Sequence, residues 1–155
     1  EVWVRGPNVA RGYHRDEAAC AFTDGWFRTG DLASLDADGC YEIVGRSKEL
    51  IISGGENIHP TEIEHLALAD PAVAEAAVVG LPDARWGEVP VLAVVPGPGA
   101  AFDEVRLRAA FESSLARYKH PRRIVVVQAL PKTALGKVRR SELAWMLVDA
   151  AQSGG

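Results

Sequence analysis

The sequence predicts an α+β chain: a short mixed sheet with covering helices, preceded by a β-hairpin segment. Three observations predict it. Residues 1–45 alternate apolar and polar positions around strong turn chemistry. From Pro60 onward the pattern runs helix, strand, strand, helix, strand, helix, an order that builds a small sheet with a strand-helix-strand crossover. Between the two lies Gly45 to Pro60, G-R-S-K-E-L-I-I-S-G-G-E-N-I-H-P, a charged knot followed by a double glycine, which reads as a hinge. The expected division is residues 1–46, the tail of a larger domain; 47–152, a separate small domain; and 153–155, a short tail.

Taken in order, Val2 to Arg5 reads as a strand and Gly6-Pro7-Asn8 as a turn. Asp16 to Phe22 reads as a helical turn or two. Trp26 to Leu35 and Cys40 to Val44 read as two strands joined across Asp36-Ala37-Asp38-Gly39. A hairpin with so few partners is not an independent domain, so its apolar faces are expected against a larger body. Past the hinge, Thr61 is the expected N-cap of a helix with Glu62 and Glu64 in its first turn and Ile63, Leu66 and Ala67 on one face. Val73 to Gly80 and Val89 to Val95 read as strands, Asp103 to Arg117 as a helix offering Val105, Leu107, Phe111 and Leu115 to the core, and Ile124 to Val127 as a third strand. Ser141 to Ala150 reads as a last helix with Leu143, Trp145, Met146 and Leu147.

With 155 residues, 48% of them hydrophobic, there is enough for one ordinary core, or one small domain plus part of another. Glu1-Val2-Trp3-Val4-Arg5 alternates like the middle of a half-buried strand, with no initiator Met, signal peptide or apolar run of membrane-spanning length. The chain therefore reads as a fragment of a longer soluble protein with no transmembrane segment. Cys20 and Cys40 fit neither a disulfide framework nor a zinc site, so both are expected as small buried hydrophobes in a reducing cytoplasm.

Net charge is only −4, but from Arg117 to Arg140 there are eight Lys or Arg and no Asp or Glu, out of seventeen basic residues in all. That points to an anionic visitor. Ile124-Val125-Val126-Val127 splits the run and the rest of the chain is acidic, which suits a small phosphorylated ligand better than nucleic acid. Four short motifs carry the candidate chemistry. Gly54-Gly55 can take positive φ and let a backbone approach a ligand, although a plain surface loop uses the same letters. Asp31, just past Gly30, can accept bonds from a pair of ribose hydroxyls, or it can bond its own turn. Asp36 and Asp38 have calcium-loop spacing without the rest of such a loop, and are read as turn residues. In Pro131-Lys132-Thr133-Ala134-Leu135-Gly136-Lys137-Val138-Arg139-Arg140, a glycine before Lys137 frees the backbone that presents its ammonium, a compact charge suited to a developing anion. This is not a Walker loop, since its first glycine is missing and Val138 stands where Ser or Thr belongs. A solvated basic loop is the plain alternative. No His or Cys has metal-ligand spacing to another, so no metal site is expected and His59 is read as a surface histidine.

Together, G-W-F-R-T-G-D at 25–31, Y-E-I-V-G-R-S-K-E-L-I-I-S-G-G-E-N-I-H-P-T-E-I-E at 41–64 and P-K-T-A-L-G-K-V-R-R at 131–140 closely resemble the carboxyl-terminal third of the adenylate-forming (acyl-CoA synthetase, AMP-binding) superfamily. The wording around the double glycine looks most like fatty-acyl-CoA and related ligases. The resemblance implies a two-step reaction in which a carboxylic acid, expected to be a fatty acid, attacks ATP to give an acyl-adenylate and pyrophosphate, and a thiol then displaces AMP. It implies ATP, Mg2+ held by residues of a missing N-terminal domain, and coenzyme A as co-substrate. Residue by residue, it implies that Asp31 holds the ribose hydroxyls, Arg46 adds a cationic contact, and Lys137 is the catalytic lysine that bridges carboxylate and phosphate oxygens. Lys48 matches the hinge about which the small lid domain turns, withdrawing Lys137 and bringing Gly54-Gly55 in to line the pantetheine tunnel. Trp86 and Tyr118 would pack on the adenine of coenzyme A, with His120, Arg122 and Arg123 facing its phosphates. Two alternatives stay open: an adenylation domain loading a phosphopantetheinyl carrier protein, and a non-catalytic docking or regulatory domain. The fragment alone is expected to be inactive.

Overall fold

The computed structural model describes residues 1–12 and 21–152, and the chain packs as two units, Glu1–Lys48 and a second that begins at Glu49. In the first unit, β1 (Trp3–Val4), β2 (Phe22–Thr23) and β3 (Trp26–Arg28) make an antiparallel sheet in the order β1-β3-β2. A second ladder pairs β4 (Asp31–Leu35) with β5 (Tyr41–Arg46). The strand expected over Trp26 to Leu35 is thus two strands in two sheets. Gly30 turns the chain with φ +76, and Thr29 fixes the break: its hydroxyl donates to the Val2 carbonyl at 2.8 Å and accepts from the Asp31 amide at 3.0 Å. Asp36 does what a turn aspartate should, its Oδ1 accepting from the amides of Asp38 and Cys40 at 3.0 and 2.7 Å. Cys40 is an exposed thiol at the end of that turn, and not the buried small hydrophobe expected. Residues 16–20 of the expected helical turn, Cys20 included, lie outside the described residues, and Phe22 is extended.

The second unit opens with a hairpin, β6 (Ile51–Ser53) and β7 (Glu56–Ile58), where the glycines alone suggest a loop. Gly54 and Gly55 are its two-residue turn, at φ +60 and +88; a two-residue hairpin turn of this kind needs positive φ at both positions. Next come α1 (Pro60–Leu68), β8 (Val73–Asp83), β9 (Gly87–Pro96), α2 (Glu104–Ser114), β10 (Arg123–Val126) and α3 (Arg140–Gln152). The N-cap of α1 is His59 and not Thr61, because Pro60, with φ already fixed near the helical value and no amide to leave unpaired, takes the first helical position. Helix α2 is capped by Asp103, which accepts from the amides of Val105 and Arg106. It stops at Ser114, short of the expected Arg117, and Arg117–Lys119 form a separate 3-10 turn.

Strand β9 organises this unit. It pairs antiparallel with β8 along its whole length, from Val73 opposite Pro96 to Asp83 opposite Gly87. It pairs parallel with β10, from Arg123 opposite Val91 to Val126 opposite Val94, with α2 as the crossover. Successive residues alternate faces. Val78, Leu92 and Val94 join Ile51, Ile58, Ile63, Leu107 and Phe111 under α1 and α2. Ala77, Val79, Val91 and Ala93 join Leu130, Leu143 and Leu147 under α3. Three expected core residues stand outside these layers: Val105 is 77% and Trp145 76% exposed, and Met146 is exposed as well. Each falls about a quarter-turn or more off the stripe set by Leu107 and Phe111 or by Leu143 and Leu147.

Asp70, just past α1, ties that end to α2. Its Oδ1 and Oδ2 receive Nη2 and Nε of Arg106 at 2.6 and 2.9 Å, and Oδ1 also receives the Ala72 amide. The Arg106 hydrogen bonds, then the Ala72 amide, hold its carboxyl below the ordinary range. A depressed folded pKa contributes stability above the unfolded value, near about 3.9, that is lost as pH falls through the folded value. Asp70→Asn is therefore expected to lower the melting temperature at neutral pH and to flatten its decline below about pH 5, as followed by circular dichroism. Phe111→Ala is expected to cost about 3–5 kcal/mol in urea unfolding. Val105→Ala should stay within about 0.5 kcal/mol of the parent.

Candidate functional site

In the first unit, the register of β4 and β5 sets Asp31 directly opposite Arg46. Arg46 Nε lies 2.8 Å from Asp31 Oδ1, in a partly exposed pair. Asp31 is therefore a strand residue with a cation beside it and not a turn aspartate. One residue past Arg46, the Ser47 amide extends the same ladder by donating to the Gly30 carbonyl at 2.8 Å. Lys48 is exposed in the 3-10 turn Ser47–Glu49 and is the last residue of this unit.

In the second unit a cleft of about 570 Å³ gathers Gly54, Trp86, Tyr118, His120 and Arg122, with Ser53, Glu56 and Arg117 also on its wall. Its floor is built from backbone needs. Asp83 Oδ1 accepts from the amides of Arg85 and Trp86 at 2.8 and 2.9 Å, which bends the β8–β9 connection and holds the Asp83 carboxyl below its usual range. The bend lays Trp86 on Gly54, whose amide donates to the Trp86 carbonyl at 2.8 Å. A Cβ built at Gly54 would lie 2.5 Å from Trp86 Cε3, so the indole occupies the space that only glycine leaves. Arg85 stacks over the same ring at 5.0 Å. His120 Nε2 is 3.1 Å from the Leu115 carbonyl and so must carry the proton. Gly55, at φ +88 with open space around it, is the outer residue of the turn.

Arg123 is not on this wall. Its guanidinium is directed at α3, donating to the Leu147 carbonyl at 3.5 Å, because alternate strand residues face opposite sides. The basic run as a whole is also not one anion-seeking face. Lys119 is held by Glu62, Lys132 by Glu75, Arg139 by Glu142, and Arg140 by Glu49 and Glu64. Arg117 and Arg122 at the cleft, Arg123 on β10 and Lys137 on its loop make no ion pair among the described residues, although Arg122 is near enough to Asp83 to help hold that carboxyl down. Sequence reasoning missed Arg117, although it lies in the run; its place on the same 3-10 turn as Tyr118 was the available signal.

Lys137 sits on a self-braced loop. Lys132 and Val138 form a bridge at its neck, the Arg139 amide donates to the Pro131 carbonyl at 2.8 Å, and the Thr133 amide donates to the Lys137 carbonyl at 2.8 Å. The Thr133 hydroxyl accepts from the Lys137 amide at 3.2 Å, and Gly136 takes φ +80. The backbone is fixed while the ammonium is exposed, with no partner among the described residues. Behind it, Arg140 enters a partly buried network: Nη1 donates to Glu64 Oε1 at 2.6 Å and to the Val78 carbonyl at 2.8 Å, and Nε to Glu49 Oε2 at 2.9 Å. Burial alone would lower the Arg140 pKa, but Glu64 and then Glu49 outweigh it and hold it raised. The sequence reading assigned Glu64 to the helix dipole; its carboxylate instead accepts from the Val78 amide at 2.7 Å as well as from Arg140.

Gly54→Ala is expected to displace the Trp86 indole and to carry about 1–2 kcal/mol of backbone strain. Gly55→Ala carries comparable backbone strain at φ +88 but meets no atom within 4 Å, so tryptophan fluorescence and near-ultraviolet circular dichroism, read against Trp86→Phe, should change more for Gly54→Ala than for Gly55→Ala.

Residues 62–137 match the family described as AMP-binding enzyme C-terminal domain. The indoleacetate–CoA ligase of Aromatoleum aromaticum is 50% identical over 145 residues, covering 92% of this chain and 28% of that protein. An o-succinylbenzoate CoA synthetase structure from Bacillus subtilis, in complex with its acyl-adenylate intermediate, superposes with a TM-score of 0.84 at 41% identity, covering 91% of this chain and 29% of that one. The amide bond synthetase McbA from Marinactinospora thermotolerans superposes with a TM-score of 0.88 at 37% identity, covering 95% and 30%. The chain spans less than a third of the length of the curated relatives it matches, 28% and 31% of the first two. Residues 62–137 thus match the AMP-binding enzyme C-terminal domain, and over nine-tenths of its length the chain is similar to parts of larger CoA ligases.

Proposed function

We propose that this chain is the carboxyl-terminal part of an ATP-dependent acid–thiol ligase that makes an acyl-adenylate and then transfers the acyl group to coenzyme A. The observation that carries this reading is Lys137: an exposed ammonium left unpaired, among the described residues, on a loop whose backbone is closed by its own hydrogen bonds. A carboxylate oxygen attacks the α-phosphorus of ATP and pyrophosphate leaves; the thiol then adds to the acyl carbonyl and AMP leaves. Lys137 sets one positive charge against the carboxylate and phosphate oxygens in the first step, with little reorganisation because its loop is already fixed. Asp31 accepts from the ribose hydroxyls beside Arg46. Mg2+ bound with ATP would supply neutralisation of phosphate charge, and no residue of this chain is assigned to hold it.

For the second step the proposal uses the cleft. Gly54 and Gly55 present bare backbone to the pantetheine arm, Trp86 and Tyr118 offer aromatic surface to the adenine, and His120, Arg117 and Arg122 face its phosphates. Arg123 serves the fold instead. Lys137 is not on the cleft wall, so the two half-reactions draw on different parts of one small domain, which supports rotation about Lys48 and a domain boundary there. The acid is a carboxylic acid; the relatives named above act on indoleacetate and o-succinylbenzoate, so the fatty-acid expectation becomes one arm of a substrate panel beside aromatic acids. A second acceptor, an amine, is favoured by the likeness to the amide bond synthetase; the two cleft arginines favour a phosphorylated one.

In the full-length enzyme Lys137→Ala is expected to reduce acyl-adenylate formation by about a hundredfold or more while sparing thioester formation from a supplied acyl-adenylate. Equal loss of both half-reactions would count against alternation. The purified 155-residue chain with ATP and any of these acids should release no pyrophosphate.

A further inference from the structure

We propose that Arg140 is a positioning residue that makes the Lys137 loop and the chain leaving Lys48 into one rigid lever, so that turning at the hinge carries the ammonium with it. The inference rests on the alternating reading above.

Glu49 is the first residue of the second unit and follows the hinge residue directly. Its carboxylate is held by Arg140 Nε at 2.9 Å. The same guanidinium grips α1 through Glu64 at 2.6 Å and β8 through the Val78 carbonyl at 2.8 Å. Three residues before Arg140 stands Lys137, and the neck between them is closed by the Arg139–Pro131 backbone bond and the Lys132–Val138 bridge. Lys132, on the other side of that neck, is pinned to Glu75 of β8. A continuous set of short polar contacts thus runs from the residue after the hinge to the loop that carries the ammonium. Arginine suits the role because its planar fork donates in several fixed directions at once, which a lysine cannot reproduce. With a side-chain exposure of 23% for Arg140 against 12% for Glu64 and 36% for Glu49, the Glu49 contact lies at the rim of the network. It can therefore be cut without leaving the interior unpaired.

The test uses the full-length enzyme and two readouts, single-turnover adenylation and thermal stability. Glu49→Gln and Arg140→Lys are expected to slow adenylation between about tenfold and a hundredfold, because a misplacement of about 1 Å at a reacting charge has that effect. The KM for ATP should hold, and the melting temperature of Glu49→Gln should stay near the parent's. In a Lys137→Ala background Glu49→Gln should add nothing, since a lever without its charged tip has nothing to misplace. A further loss of similar size in that background, or a loss that tracks the fall in melting temperature, would overturn the lever and leave a purely structural ion network. Unchanged adenylation in Glu49→Gln would overturn it as well. Unimpaired adenylation in Lys137→Ala alone would instead sink the underlying reading of the lysine, an outcome separate from the others.

Discussion

The second unit depends on the β8–β9 ladder. Ten paired positions, from Val73 with Pro96 to Asp83 with Gly87, make β9 a strand bonded on both edges and covered on both faces. A strand in that setting needs apolar side chains in both directions, and V-L-A-V-V at 91–95 supplies them. The functional features hang from its ends and neighbours. The turn that enters β9 carries Trp86 and faces the Gly54 turn; Pro90 and Val89, the first residues of its inner stretch, line the cleft; and β8 offers Glu75 and the Val78 backbone as anchors for the lysine loop. Rigid anchoring of exposed groups is what a covered sheet provides and what a loop alone does not.

How much of this was legible in the sequence follows from the range of the interactions. The alternating and helical runs gave α1, β8, β9, α2, β10 and α3, because each is set by its own periodicity and by the face it buries. The Gly54-Gly55 hairpin was missed although I-I-S and E-N-I flank a two-residue glycine turn; three-residue strands are too short for periodicity, and only their pairing makes them strands. Splitting Trp26–Leu35 into two sheets likewise rests on a positive φ at Gly30 and a threonine hydroxyl, neither of which a hydrophobic pattern records.

The site was legible in its letters and not in its partners. Gly54, Trp86, Tyr118, His120 and Arg122 lie within one cleft, yet they come from three separate stretches, and only the family resemblance, not periodicity or spacing, joined them. The basic run shows the opposite failure. Its eight charges read as one surface because sequence counts charge and not neutralisation, whereas Glu49, Glu62, Glu64, Glu75 and Glu142 each reach one of its members from elsewhere in the fold or from the next helical turn.

That neutralisation gives the remaining cations their meaning. A lysine surrounded by unpaired like charges would face a diffuse field and would attract any polyanion. Here Lys132, Arg139 and Arg140, the near neighbours of Lys137 in the loop, each engage a carboxylate, so the loop presents one ammonium with its backbone already fixed. The exposed pairs among them, Lys132–Glu75 and Arg139–Glu142, contribute little to stability, on the order of 0–1 kcal/mol each. Their effect is selective: they leave Lys137 as the one cation of its loop without a carboxylate partner among the described residues, so that an anion meeting that loop would meet a localised charge and not a basic surface.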